Sequence, residues 1–396
     1  MGTSATLFKL FGIEVRMHWS FVLILAYGAF AYSSGVSDPL IGALYGVLVI
    51  LLLFVCVTLH EFGHALVAKH FKVNVPHITL LPIGGVASLE RMPDKPFQEF
   101  LIAIAGPLVN FVIAGLLFPL LLLSRGMQSS ALGVDTVGQL LAQMQSPGLT
   151  NLLVYLVVTN LGLGIFNLLP AFPMDGGRIL RALLAMGVAY VDATRIAVFV
   201  GRVMAGLFAL WGILNGNIFL LLIAFFIYVG GGSEREAVES KAVLRNILAE
   251  QALPLNAVNL YTSERVDRAV DLIMNSYQTD YPVLDLAGRF VGVLTRARLI
   301  YALKEIGPEA RIVDVMLKAE EIPVCNPNQD LSMIWETMVG GGSRVVAIKR
   351  NNEFLGLLTL DDISEVFQVY GAKLAGPGRP PTAGNTLQPK PEGMDA

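Results

Sequence analysis

The chain has 396 residues, 54% of them hydrophobic and only 15% charged, well below the roughly 25% charge of a soluble domain. A formal net charge of −3 excludes the basic footprint of a nucleic-acid-binding protein. Two cysteines, Cys56 in an apolar stretch and Cys325 in a polar one, exclude a disulfide framework.

Apolar stretches at 17–34, 40–68, 98–124, 149–169, 192–214 and 217–231 are candidates for membrane-spanning helices, which need about 20 residues each. No cleavable signal peptide is expected, because no small-residue cleavage site follows the first stretch. Lys9 and Arg16, then Lys69, Lys72, Arg91 and Lys95, then Arg178 and Arg181, then Arg235, Lys241 and Arg245 fall on one side of this topology. That bias predicts a multi-pass protein of the cell membrane with both termini cytoplasmic.

The second stretch ends in H-E-F-G-H at 60–64. On a helix His60 and His64 share one face and can grip one zinc ion, with Glu61 where a general base would stand. Ionisable groups at membrane depth are costly and mark function. A hydrolytic centre there points to a protease that cuts the transmembrane segments of other proteins. Segment 72–92 follows, alternating and broken by Pro76, Pro82 and Gly84-Gly85. It predicts short strands or a re-entrant hairpin lining the same cavity. Its edge could capture an unwound substrate by β-addition, with the N–H of Ile78 facing inward.

Catalytic zinc usually takes three protein ligands and a water. All five histidines lie before position 78, and His18, His70 and His77 read as interfacial. His70 would complete a metzincin-like H-E-F-G-H-A-L-V-A-K-H. However, Val67 stands where that arrangement needs glycine, and a continuous helix turns His70 away. Asp175, in F-N-L-L-P-A-F-P-M-D-G-G at 166–177, is the better third ligand. It ends the fourth apolar stretch at the same membrane face, and a cation would stabilise a carboxylate that is costly to bury alone.

Beyond about Gly232 the composition turns polar. Gly292-Val-Leu-Thr295 recurs as Gly356-Leu-Leu-Thr359. Each copy follows a β-like stretch (281–284; 344–348) and an amphipathic helix (Val266–Asn275; Leu331–Met338), so two copies are expected to pack on each other. The end, from about Lys373, is rich in Pro and Gly and reads as disordered.

H-E-x-x-H in a membrane helix, with N-x-x-P-x-x-x-x-D-G downstream (Asn167, Pro170, Asp175, Gly176), resembles the site-2 protease family of intramembrane zinc metalloproteases. The resemblance covers about residues 10–230. It implies zinc held by His60, His64 and Asp175, Glu61 as catalytic base, and Asn167 as a polar helper near the substrate. Gly84-Gly85 and Gly106-Pro-Leu-Val-Asn110 also resemble family features. The repeat resembles a pair of CBS domains, which bind adenine nucleotides of the ATP or AMP type. Its G-x-x-T-x-x-D pattern survives in the second copy as Thr359 and Asp362, whereas Arg298 replaces the aspartate in the first.

The expected architecture is a multi-pass α-helical membrane protein with about six transmembrane helices and a small β or re-entrant element, followed by a soluble α+β CBS pair. The expected organisation is a metalloprotease domain at 1–232, a linker at 233–252, CBS repeats at 253–310 and 311–372, and a tail at 373–396. The expected function is zinc-dependent cleavage of membrane-anchored proteins or leftover signal peptides within the lipid bilayer. Cytoplasmic CBS domains, which could also pair into a homodimer, would regulate it through nucleotide. A CBS-gated metal transporter and a non-catalytic receptor for membrane proteins are the alternatives, and intact Glu61 disfavours the receptor.

Overall fold

The computed structural model describes residues 4–33, 38–82, 84–88, 95–126, 146–254, 256–275 and 278–375. The chain divides into two compact units, Met1–Arg235 and Glu236–Ala396. The first begins with strands β1 (Ser4–Leu10) and β2 (Ile13–His18). Helices α1 (Phe21–Ser33) and α2 (Pro39–His70) follow, then β3 (His77–Leu81) and β4 (Gly84–Ala87). Helices α3 (Pro96–Gly126), α4 (Leu149–Asn167), α5 (Asp175–Ala185), α6 (Tyr190–Leu214) and α7 (Ile218–Leu244) complete it, α7 running on into the second unit.

Five of these helices (α2, α3, α4, α6 and α7) are long and apolar enough to cross a membrane. The sixth expected span is shorter. Helix α1 has 13 residues, about 20 Å at 1.5 Å per residue, and residues 17–18, read as its start, belong to β2. On α2, Leu44, Leu51, Val55 and Leu59 are exposed, as a lipid-facing flank requires. Asp38 caps the helix by accepting from the backbone N–H groups of Leu40 and Ile41, with Pro39 in the first turn.

The sheet order is β1-β2-β3-β4, with β2 and β3 parallel and the other pairs antiparallel. The hairpin expected in 72–92 is β3–β4, and the residues after Ser88 lie outside those described. Strands β1 and β2 were not expected. They are joined at Phe11 (φ 51°) and Gly12 (φ 78°), a turn with two left-handed central residues that suits a two-residue hairpin. Ile13, Val15, Ile78 and Leu80 point inward onto Phe54, Phe62, Ala65 and Ala68 of α2. The sheet therefore rests on the H-E-F-G-H end of α2. Ile78 is no substrate-facing edge residue, because β3 lies between β2 and β4. Among the described residues, the unpaired edge on that side belongs to β4.

The second unit holds the repeat. The first copy contains β5 (Leu260–Tyr261), α8 (Val266–Asn275), β6 (Tyr281–Leu284), β7 (Phe290–Leu294) and α9 (Arg296–Glu305). The second contains β8 (Leu317–Lys318), which pairs with β7 of the first, then β9 (Val324–Cys325), α10 (Leu331–Gly341), β10 (Val345–Arg350), β11 (Glu353–Thr359) and α11 (Leu360–Ala375). Each copy sets a short strand parallel to a hairpin. Leu284, Phe290 and Val293 share a core with Val345, Ala347 and Leu357, and Phe290 stacks on Phe354 at 4.4 Å. The two copies thus pack on each other as the repeat required. Residues 373–375 extend α11, and the rest of the predicted tail, 376–396, lies outside the described residues.

Helices α1 and α2 touch through backbone at two glycines. A Cβ on Gly46 would stand 2.1 Å from the carbonyl oxygen of Gly28, which backbone cannot yield. Gly46→Ala is expected to cost about 1–3 kcal/mol, typical of overpacking. Thermal unfolding of the detergent-solubilised chain should register the loss as a lower midpoint with zinc content unchanged.

Candidate metal centre

The C-terminal half of α2 presents His60, Glu61 and His64. His60 and His64 are buried, with their rings 4.7 Å apart and nearly perpendicular. Their Nε2 atoms are 3.1 Å apart. Asp175, the first residue of α5, places Oδ2 at 3.2 Å from each Nε2. The three form a group that could hold one metal ion. His70 is at the exposed end of α2, His18 bonds Ser20 and His77 bonds Ser88. None of them approaches this group.

The way Asp175 arrives explains D-G-G. Helix α4 ends at Asn167, and a tight turn through Pro170 and Pro173 leads into α5. A Cβ on Gly176 would meet the carbonyl oxygens of Leu168 and Leu169 at 2.3 and 2.2 Å, and one on Gly177 the Ala171 backbone at 2.7 Å. These glycines are there for close approach, not for a special dihedral. With them, the first turn of α5 lies flat on the preceding turn and Asp175 faces the histidines.

The back of each imidazole faces oxygen. His64 Nδ1 lies 2.7 Å from the carbonyl oxygen of Ile102 on α3, which can only accept. His64 therefore carries its proton on Nδ1. His60 Nδ1 lies 2.5 Å from Asn110 Oδ1. That amide is oriented by a chain: Asn110 Nδ2 donates to Asn160 Oδ1 at 3.0 Å, and Asn160 Nδ2 donates to the Leu156 carbonyl at 2.7 Å. His60 is thereby protonated on Nδ1 too. With both rings neutral, two Nε2 lone pairs and one carboxylate oxygen converge here, and Asp175 Oδ2 has no hydrogen-bond partner. A shared cation relieves this convergence. Tetrahedral zinc with bonds of about 2.0–2.2 Å sets its ligands about 3.3–3.6 Å apart, close to the 3.1–3.2 Å spacings seen.

Glu61 lies in the adjoining cavity of about 410 Å³, together with His60, His64, Asp175, Asn167 and Arg178. Its Oε2 accepts from the N–H of Ala87 on β4 at 3.2 Å. A Cβ on Gly85 would stand 2.7 Å from Glu61 Cγ, so this glycine of the pair makes room for the carboxylate. Gly106 does the same for the two histidines: a Cβ there would lie 2.2 Å from His64 Nε2 and 2.7 Å from His60 Nε2. The roles of Gly106, Asn110, Asn160 and the Ile102 carbonyl were not read from sequence. The two asparagines were discoverable as lone amides in apolar helices, where unpaired polar groups are expensive. Arg181, taken as a cytoplasmic loop charge, is instead fully buried among helices.

In the second unit, Thr359 and Asp362 face each other. Thr359 Oγ1 donates to Asp362 Oδ2 at 2.7 Å and accepts from the Asp362 N–H at 3.1 Å, and the Thr359 N–H donates to Asp362 Oδ2 at 2.8 Å. They form a reciprocal cap at the start of α11. Thr295 caps α9 one-sidedly, accepting from the Arg298 N–H at 3.3 Å. Cys325 is buried, which pushes its thiol pKa up and makes it inert at neutral pH.

Residues 48–210 match the profile of peptidase family M50, and 256–305 and 312–368 that of the CBS domain. A zinc metalloprotease of Methanocaldococcus jannaschii is 36% identical over 294 residues, 74% of this chain and 78% of that one. The chain belongs to peptidase family M50, the site-2 proteases. It is a metalloendopeptidase of the membrane with a C-terminal CBS pair. Rip3 of Mycobacterium tuberculosis is 26% identical over 395 residues, 93% of each chain. The solved site-2 protease from Methanocaldococcus jannaschii shares 38% identity, covering 59% of this chain and 95% of its own, with a TM-score of 0.41.

Gly106→Ala tests the crowding over His60 and His64. The methyl group would displace both Nε2 atoms, so the purified variant should fold, judged by circular dichroism, yet retain far less zinc than wild type by elemental analysis.

Proposed function

We propose that this M50 peptidase cleaves transmembrane segments of membrane-anchored proteins or residual signal peptides. In this reading His60, His64 and Asp175 are the zinc ligands, Glu61 the proton carrier and Asn167 an oxyanion donor. The observation that carries it is the convergence of two imidazole lone pairs and the Asp175 carboxylate beside Glu61 and β4. Zinc bound there would supply Lewis acidity, making a nearby water acidic enough to activate at neutral pH.

Glu61 takes a proton from the attacking water and returns it to the leaving amine, so the peptide C–N bond breaks and a C–O bond forms. The Asn167 amide, in the same cavity, donates to the carbonyl oxygen as it gains charge. A helical substrate must unwind first, because its backbone groups are bonded internally. Strand β4 offers the unwound stretch an edge next to Glu61. On that edge the Ala87 N–H already points at the catalytic carboxylate.

Both termini and the CBS pair would face the cytoplasm, where adenine nucleotide would regulate cleavage. The Thr359–Asp362 cap would have to open or lend its outer lone pairs to a ligand. Calorimetric titration of the full chain with ATP and with AMP should give a binding isotherm weakened by Thr359→Ala, and a flat trace with both nucleotides would remove this part of the proposal.

Two variants test the protease reading. Glu61→Gln should keep wild-type zinc and lose about 10²–10⁴-fold in cleavage of a membrane-anchored reporter in proteoliposomes. Asp175→Ala should lose most of its zinc. Cleavage that survives Glu61→Gln would contradict the assigned proton carrier.

A further inference from the structure

Arg181 is the most deeply buried charge in the described structure, with no exposed surface, and it lies outside the reacting cavity. It sits on α5 about 9 Å along the axis from Asp175. Its Nε and Nη2 donate to Glu99 Oε1 on α3 at 2.9 and 2.5 Å. Its Nη1 donates to Glu234 Oε1 on α7 at 2.5 Å. The guanidinium carbon lies 4.9 Å from the ring centres of both Phe172 and Tyr190. One side chain therefore fastens α5 to α3, to α7, to the first turn of α6 and to the turn that precedes Asp175.

The placement of the two main partners gives this hub its meaning. Glu99 is one turn ahead of Ile102, whose carbonyl orients His64, on the helix that also supplies Gly106 and Asn110. The backs of both histidines are thus set by α3, while Asp175 is carried by α5. The Arg181–Glu99 contact joins those two helices without lining the cavity. Phe172, three residues before Asp175 and itself buried, is clamped against the same guanidinium.

We infer that Arg181 is a positioning residue for the metal centre: it fixes Asp175 against the α3-oriented histidines by locking α5 and its leading turn to α3. The inference rests on Asp175 being a ligand, as proposed above. A planar fork serves both carboxylates and both rings at once, and a lysine cannot.

The test measures zinc affinity of the full-length, detergent-purified chain by chelator competition, beside thermal unfolding of the zinc-free protein. Arg181→Lys keeps the charge and loses the fork. Zinc Kd should weaken about 10–100-fold, the range for lost outer-shell support, and the visible band of the cobalt-substituted protein should change. A residue that only stabilises the fold would lower the zinc-free unfolding midpoint and leave zinc Kd and the cobalt band as in wild type. That result overturns the inference. If Arg181→Lys does not fold, Glu99→Gln carries the test, and wild-type zinc affinity there overturns it equally. Asp175→Ala is run in parallel. If it keeps wild-type affinity, the ligand assignment fails and the positioning role falls with it. If it loses zinc while Arg181→Lys does not, only the positioning role fails.

Discussion

Three electron-rich atoms held within 3.2 Å of one another are the constraint around which the first unit is organised. Two belong to imidazoles whose Nδ1 atoms face an amide and a carbonyl oxygen, and the third is a buried carboxylate oxygen without a partner. Such an arrangement is unfavourable in an apolar setting unless a cation is shared. The surrounding helices are built to sustain it. Glycines at 63, 106, 176 and 177 let backbones approach to distances no side chain would permit. A chain of asparagines runs from His60 to α4, and Arg181 ties α5 to α3 and α7.

The sheet serves the same centre from another direction. Strands β2 and β3 bury their apolar faces on the end of α2 that carries the histidines. That packing leaves β4 as the strand beside Glu61. Glu61 and, among the described residues, an unpaired strand edge thus share one cavity, which suits a substrate that arrives as backbone rather than as side chain. The CBS pair is a separate unit with its own cores. The helix α7 that enters it bears Glu234, one of the two carboxylates on Arg181.

Much of this is legible in the sequence because the signals are local. The i, i+4 histidines need only a helix, and the repeat needs only its G-x-x-T marks with their flanking strands and helices. Strands β1 and β2 were hidden for a physical reason. I-E-V-R-M-H alternates, but it abuts an apolar run, and its partner β3 is some sixty residues away across two helices. The Phe11-Gly12 turn carries no asparagine to announce it. Arg181 misleads for a similar reason: charge counting treats every arginine as solvated, and only the fold reveals Glu99, far off in the chain, as its partner. The edge expected at Ile78 failed because a strand's neighbours on both sides cannot be read from its own residues.

What surrounds the metal decides whether His60, His64 and Asp175 hold it. Zinc-edge X-ray absorption of the full-length protein, purified without chelator, addresses that directly. The account predicts one zinc per chain, with scattering from two imidazoles and from oxygen at about 2.0–2.2 Å. A third imidazole, a sulfur shell, or a chain that retains no zinc would contradict it.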